Sequence, residues 1–292
     1  MSIERSLPMN NKILEFFGYK TNCLTESFAK ELLFNQICPY SKKKCYKTRK
    51  SQPDISIGTC IVQSGEAGVI ICPHRLLQKG QVFVDCMHLL HLHEPGNELH
   101  IVSEVAIPGG NIDYFLISAR NRKVKDFIAI EFQTMDTTGT VWPERQRLIH
   151  SWGVSVSDAD INSIRPFGMN WKMTAKTILV QLHHKIQTLE HLNKHLVLVI
   201  QDCLLRYMQR EFSFSHLAEP ARSGDSMHIH SYQLDSIGAS YALSLNHRLS
   251  TDSIGIANCL GLQAEAKVDL DRMILDLEHR ISDATLFVPF QI

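Results

Sequence analysis

Residues 109–133 read GGNIDYFLISARNRKVKDFIAIEFQ, two apolar runs joined by a basic turn. In the second run, DFIAIEFQ (126–133), strand periodicity sends Ile128, Ile130 and Phe132 to one face and Ala129, Glu131 and Gln133 to the other. Glu131 and Gln133 therefore project together from a segment that is otherwise apolar. In the first run Asp113 follows a Gly pair and opens IDYFLISA (112–119). An acid leading one strand and an acid in the middle of its neighbour are expected to meet about one metal's width apart. Two carboxylates with the Phe132 carbonyl between them are hard oxygen ligands that suit Mg²⁺. Such an ion binds a phosphate oxygen, lowers the pKa of a bound water and stabilises charge building on phosphorus. Gln133 can orient water or phosphate by hydrogen bonding, but being neutral it supplies no positive charge. Glu104, one strand earlier, is a further candidate acid. The bland alternative is that these are acids at strand ends on an ordinary surface.

Working outward, the segments 81–86 (QVFVDC), 100–107 (HIVSEVAI), 112–119 and 126–133 read as strands, each short, rich in Val, Ile and Phe, and bounded by Gly, Asn, Pro or charge. GTCIV and AGVIICPHR before them are also β-rich. Past the loop TMDTTGTVWPERQR the pattern changes. NWKMTAKTILVQLHHKIQTLEHL, with Asn170 at its cap position, predicts a helix whose apolar face includes Met173, Ile178, Leu182 and Ile186. KHLVLVIQD reads as a buried strand and CLLRYMQREF as a helix. Leu270, Met273, Ile274, Leu277 and Ile281 predict a final amphipathic helix. The expected fold class is α/β, a mixed central sheet flanked by helices with a metal-bearing subdomain in front.

That subdomain rests on four cysteines. Cys38, Cys45, Cys60 and Cys72 follow the spacing C-x6-C-x14-C-x11-C, in or beside polar loop sequence where burial by packing alone is not expected. Four thiolates can close a tetrahedral shell around Fe or Zn²⁺, and a closed shell is structural because it leaves no open position. Cys23, Cys86, Cys203 and Cys259 lie in more apolar contexts and read as core. His88, His91 and His93, and His228 with His230, read as ordinary histidines in a chain that has 15.

The chain has 292 residues with 30 basic and 30 acidic side chains, which excludes a histone-like tail or an acidic solvating segment. Its charge is uneven. Lys42, Lys43, Lys44, Lys47, Arg49 and Lys50 crowd residues 41–50, and Arg120, Arg122, Lys123 and Lys125 crowd the turn between the two key strands. Both clumps read as solvated loops unless a polyanion such as a phosphodiester backbone uses them. No run of 18 apolar residues occurs, and MSIERSLPMNNKILEFF lacks the apolar core and cleavage site of a secretion signal. A soluble, cytoplasmic protein with reduced thiols or a bound metal is expected.

CP-x5-C, GTC, ICPHR, GGNIDYFLIS, DFIAIEFQTMDTTG and GMNWKMTAKTILVQL occur in this order over roughly residues 25–215, and together they resemble the NotI family of type II restriction endonucleases. The resemblance implies a PD-(D/E)xK nuclease core in its Gln variant; residues 1–80 are read as an N-terminal helical region and four-cysteine metal-binding subdomain, and residues 81–292 as the nuclease core with C-terminal DNA-recognition elements. It implies Mg²⁺-dependent cleavage of double-stranded DNA leaving 5′-phosphate ends, with Asp113, Glu131 and Gln133 catalytic and Asp113, Glu131 and Phe132 holding Mg²⁺. Cys38, Cys45, Cys60 and Cys72 match its iron ligands. Lys42, Lys43, Lys44, Lys47, Arg49, Arg120, Arg122 and Lys123 would then contact DNA. Asp113 follows Ile rather than Pro, which leaves Pro108 without a role. Cutting both strands calls for a homodimer or a related second subunit. The rivals are a DNA-binding subunit of a heteromeric or nicking enzyme and a non-catalytic metal-thiolate module.

Overall fold

The computed structural model describes residues 12–164, 166–261, 274–275 and 278–280. Near the amino end, β1 (Ile13–Phe16), β2 (Tyr19–Lys20) and α1 (Glu26–Asn35) precede a loop with two short strands, β3 (Thr48–Arg49) and β4 (Gln52–Ser56). After β5 (Thr59–Ser64) and β6 (Ala67–Ile70) the chain turns through α2 (Gln81–Cys86) into three long strands, β7 (Glu98–Ile107), β8 (Gly110–Arg120) and β9 (Lys123–Phe132). Next come β10 (Thr137–Thr138), α3 (Trp142–Ser151), α4 (Asp158–Ile161), β11 (Gly168–Met169) and the long α5 (Trp171–His191). The described chain ends with β12 (His195–Gln201), α6 (Asp202–Glu211), the hairpin β13 (Met227–Ile237) and β14 (Ser240–Thr251), and α7 (Ser253–Cys259).

Two sheets carry the architecture. The larger has the order β14-β13-β12-β9-β8-β7 and the smaller β2-β1-β5-β6. In the larger sheet β12 runs parallel to β9 and to β13, while the remaining pairs are antiparallel, so the expected mixed α/β sheet is present. All seven residues of β12, HLVLVIQ, are buried, as a central parallel strand covered on both faces requires. On one face Phe115, Ala129, Leu196 and Leu198 pack with Ile178, Leu179, Leu182 and Ile186 of α5. On the other, Leu116, Ile128, Ile130, Val197 and Val199 pack with Val82, Phe83, Ile61 and Ile70. Each such aliphatic side chain contributes about 1.5–3 kcal/mol by leaving water, so this two-faced packing outweighs any local propensity. The smaller sheet is tied on by Gln201, whose amide donates to the Gly68 carbonyl at 2.7 Å and accepts from the Ile70 N–H at 2.9 Å.

Three expectations need correction. QVFVDC is a helix, because Val82, Phe83 and Cys86 are buried while Val84 is 58% exposed; a strand would have put 82, 84 and 86 on one face. On α5, Met173 is exposed and Thr174 and Ala175 turn inward instead; Asn170 sits at the cap position but caps with its backbone carbonyl, accepting from the Thr174 N–H. Cys23 is exposed, in a short turn with its thiol toward the Asn22 side chain. Of the helix read from Leu270 to Ile281, only Ile274 among its named apolar positions lies within the described residues.

Candidate active site

β8 and β9 form an antiparallel hairpin in which Tyr114 pairs with Ile130. One step further along this register lie Asp113 and Glu131, side by side at the hairpin's open end. The Phe132 N–H donates to Asp113 Oδ2 at 2.8 Å, fixing that carboxylate beside its neighbour strand. Glu131 is buried and Asp113 half-buried. Burial first, and then the negative charge of Asp113, push the Glu131 carboxyl up to about 7. Asp113 is also raised, chiefly by burial, with the Phe132 N–H and the charge of Lys185 working against it. Two carboxylates that resist ionising side by side form a natural seat for a cation.

Glu104 borders the same pair. In β7 it lies between the Ser103–Tyr114 and Val105–Ile112 pairs, which puts it across from Asp113, and its charge adds to the upward push on that carboxyl. Its φ of 56° lies in the left-handed region, a strain of roughly 1–3 kcal/mol for a residue with a Cβ.

Lys185 was not anticipated from the sequence. From α5 its Nζ reaches Glu131 Oε1 at 2.8 Å, and the two side chains are 9% and 6% exposed. A sequence signal for it existed: Lys185 falls inside the apolar stripe of Leu182, Ile186 and Leu189, where a charge has no reason to be unless something buried pairs with it. The Gly pair opening the hairpin is explained by the same helix. Gly109 has φ +99° and a Cβ there would come within 2.7 Å of the His184 carbonyl oxygen; a Cβ on Gly110 would come within 3.2 Å of Lys185 Cε. Pro108 gains a role too, its carbonyl accepting from the Thr188 hydroxyl at 2.8 Å.

Gln133 stands just past the end of β9, its N–H donating to the Val199 carbonyl and its side-chain amide to the Thr134 carbonyl. It lines a cleft of about 580 Å³ together with Tyr46, Lys47, Thr48 and Asp136. The cleft thus joins the basic segment 41–50 to the strand that bears Glu131. Within that segment Lys42, Lys43 and Lys44 are exposed, Lys47 donates to the Ile71 carbonyl, and Arg49 pairs with Asp160 and lies over the Trp142 ring. The second basic clump is elsewhere. Arg120, Arg122 and Lys123 form the closed end of the β8–β9 hairpin, seven residues or about 23 Å along the strand from Asp113.

Cys38, Cys45, Cys60 and Cys72 are all buried and none is in a disulfide. Cys60 and Cys72 share a hydrogen bond, which with Lys47 and His74 nearby lowers Cys72 to about 6 against the pull of burial, while Cys60 is raised. Burial works against ionising Cys38, yet hydrogen bonds from His74 and Ser41 bring it below the usual thiol value; Cys45 is raised by burial. Among the described residues no group of three or more His, Cys, Asp or Glu side chains is gathered closely enough to hold a metal ion. The same holds for the histidines, although His91, His195, His228, His230 and His88 form a row with ring centroids 5.0–6.5 Å apart. No described helix is long and apolar enough to cross a membrane.

No curated protein matches the sequence. The family described as "Restriction endonuclease NotI" matches over residues 29–222, a span that takes in the four cysteines, the β7–β9 strands with both carboxylates, α5 and β12. With most of its length inside that match, the chain belongs to the NotI family of restriction endonucleases and is a type II site-specific deoxyribonuclease acting on double-stranded DNA.

Proposed function

We propose that Asp113, Glu131 and Gln133 are the catalytic residues of a PD-(D/E)xK-type core in its Gln form, hydrolysing DNA phosphodiesters with Mg²⁺ to leave 5′-phosphate ends. The observation that carries this reading is the adjacency of two buried or half-buried carboxylates on paired strands, each raised by the other or by burial. Asp113, Glu131 and the Phe132 carbonyl would hold the ion. When bound, Mg²⁺ supplies a Lewis acid for a phosphate oxygen and a more acidic water. The chain's own residues do the rest. The Phe132 N–H orients Asp113, the sheet holds Glu131 away from bulk water, and Gln133 offers a neutral amide at the mouth of the cleft.

Lys47, which lines that cleft, and Lys42, Lys43, Lys44 and Arg49 of the same basic segment are assigned to the DNA backbone, and Arg120, Arg122 and Lys123 to a more distant stretch of it. Residues 1–80 are read as the unit bearing the cysteines and residues 81–292 as the nuclease core. The cysteines are read as ligands of one Fe or Zn ion: the donors are four buried, unbridged thiols whose charges influence one another, a chemistry suited to either metal, although binding would have to draw them closer together. Two copies, or one copy with a related subunit, would cut both strands.

Incubating the protein with mixed-sequence plasmid and Mg²⁺ and sequencing the ends tests this. Wild type is expected to give unique cut sites with 5′-phosphates, and Asp113→Ala to lose at least about 10³-fold in rate while still binding DNA in Ca²⁺. An Asp113→Ala protein that cuts at the wild-type rate removes Asp113 from the site.

A further inference from the structure

We propose that Lys185 of α5 provides the positive charge that Gln133 cannot, acting as a positioning residue that holds Glu131 and offsets the negative charge of the acid pair. This rests on the catalytic reading of Asp113 and Glu131 given above.

The geometry argues for more than a chance ion pair. Lys185 is one of the few buried lysines among the described residues, and its ammonium is within hydrogen-bond distance of Glu131 at 2.8 Å. Its charge reaches Asp113 as well. Helix α5 is held at this level by three features at once: the Thr188–Pro108 hydrogen bond, the bare Cα of Gly109 against the His184 carbonyl, and the bare Cα of Gly110 against the Lys185 side chain. An ammonium is costly to bury unless it is paired, so a helix packed this tightly around one is built to deliver it.

Charge counting shows what it does. Asp113 and Glu131 contribute two negative charges, which a divalent cation cancels, and Glu104 across from Asp113 adds a third. The scissile phosphate then adds one negative charge and its attacked form another, with no protein cation at position 133 to answer them. Lys185 brings one fixed positive charge to the inner side of the pair, where water is excluded and charge stabilisation is strongest.

The test compares Lys185→Met, Lys185→Gln and the double variant Lys185→Met with Gln133→Lys, all in the full chain. Single-turnover cleavage in Mg²⁺ is measured beside DNA affinity in Ca²⁺ and thermal melting. Lys185→Met is expected to lose about 100-fold in cleavage rate with affinity within about threefold of wild type. Lys185→Gln, which keeps a donor toward Glu131 but no charge, is expected to lose a similar amount and covers the case in which Met prevents folding. Restoring a charge from the strand side with Gln133→Lys is expected to recover at least about tenfold over Lys185→Met. A purely structural ion pair would not be repaired from position 133. Cleavage by Lys185→Gln within about threefold of wild type, or no recovery in a folded double variant, overturns the proposal. Should Asp113→Ala cut normally, the catalytic reading falls and this one with it; should Asp113→Ala fail to cut while Lys185→Gln cuts normally, only this one falls.

Discussion

The carboxylate pair and the cysteine quartet are both clusters of acids withdrawn from water, yet they meet the cost of burial differently. Glu131 is given an internal counter-ion, Lys185, and its position is set by strand register and a packed helix. The cysteines sit on loops and strand ends, with Lys47 and His74 as their basic neighbours, and two of them keep their protons more tightly than a free thiol does. A carboxylate near neutral pH must be paired to be buried, whereas a thiol can stay neutral and wait for a metal. One cluster is organised by the fold. The other is four thiols not gathered closely enough to hold an ion, which the proposed metal would have to draw together.

Metal removal should break this contrast most strongly. Purified protein is expected to contain about one Fe or Zn per chain, and its loss, by chelation or through Cys60→Ser or Cys72→Ser, to cost several kcal/mol and lower the melting temperature by on the order of 10 °C. Elemental analysis with neither metal in stoichiometric amount leaves the quartet as plain buried thiols. Next in size is the counter-ion. Without divalent cations, Glu131→Ala strands the Lys185 ammonium and is expected to destabilise by about 3–5 kcal/mol. Asp113→Asn removes a charge that opposes Glu131 and keeps an acceptor for the Phe132 N–H, so a change within about 1 kcal/mol is expected. Equal losses in urea unfolding would show that Lys185 does not distinguish the two acids.

The histidine row adds a third way of burying an ionisable group, by shedding its charge. Burial first, then His195 beside His228 and the Arg248 guanidinium near His230, lower His228 to about 4 and His230 to about 3. The unfolded chain takes up these protons near pH 6.5 while the folded chain refuses them, so this stability is complete above about 6.5. It falls as pH drops toward 4 for His228 and 3 for His230, by about 1.4 kcal/mol per pH unit for each group. His230→Leu is expected to flatten the stability–pH slope between pH 6 and 4, and an unchanged slope would show that His230 does not report on this region.

Local pattern was enough for the hairpin that bears the acids. Alternation in DFIAIEFQ separated Glu131 from Ile130 and Phe132, the apolar run KHLVLVIQD matched β12, and the long helix after Asn170 matched α5. QVFVDC escaped because six apolar-rich residues fit either period, and only packing tells that Val84 faces out. The β13–β14 hairpin was left unread, its strands mixing His, Ser and Asp with few uninterrupted apolar residues. Lys185 was missed for another reason: nothing local links a helix residue to a strand 54 positions earlier, although its place in an apolar stripe was a visible anomaly. The basic turn at 120–123 joins the two acid-bearing strands in sequence, but a hairpin carries its turn to the end opposite its open strands.

The Glu131–Lys185 pairing also sets an order of assembly. Strand β9 is completed well before its parallel neighbour β12 is synthesised, and the crossover between them is the segment that contains α5. A chain emerging from the ribosome therefore has both acids exposed and unneutralised until about residue 200 is free to join the sheet, since parallel pairing cannot precede its crossover. An amino-terminal fragment ending before α5 carries both carboxylates without the Lys185 ammonium that pairs with Glu131 in the folded chain.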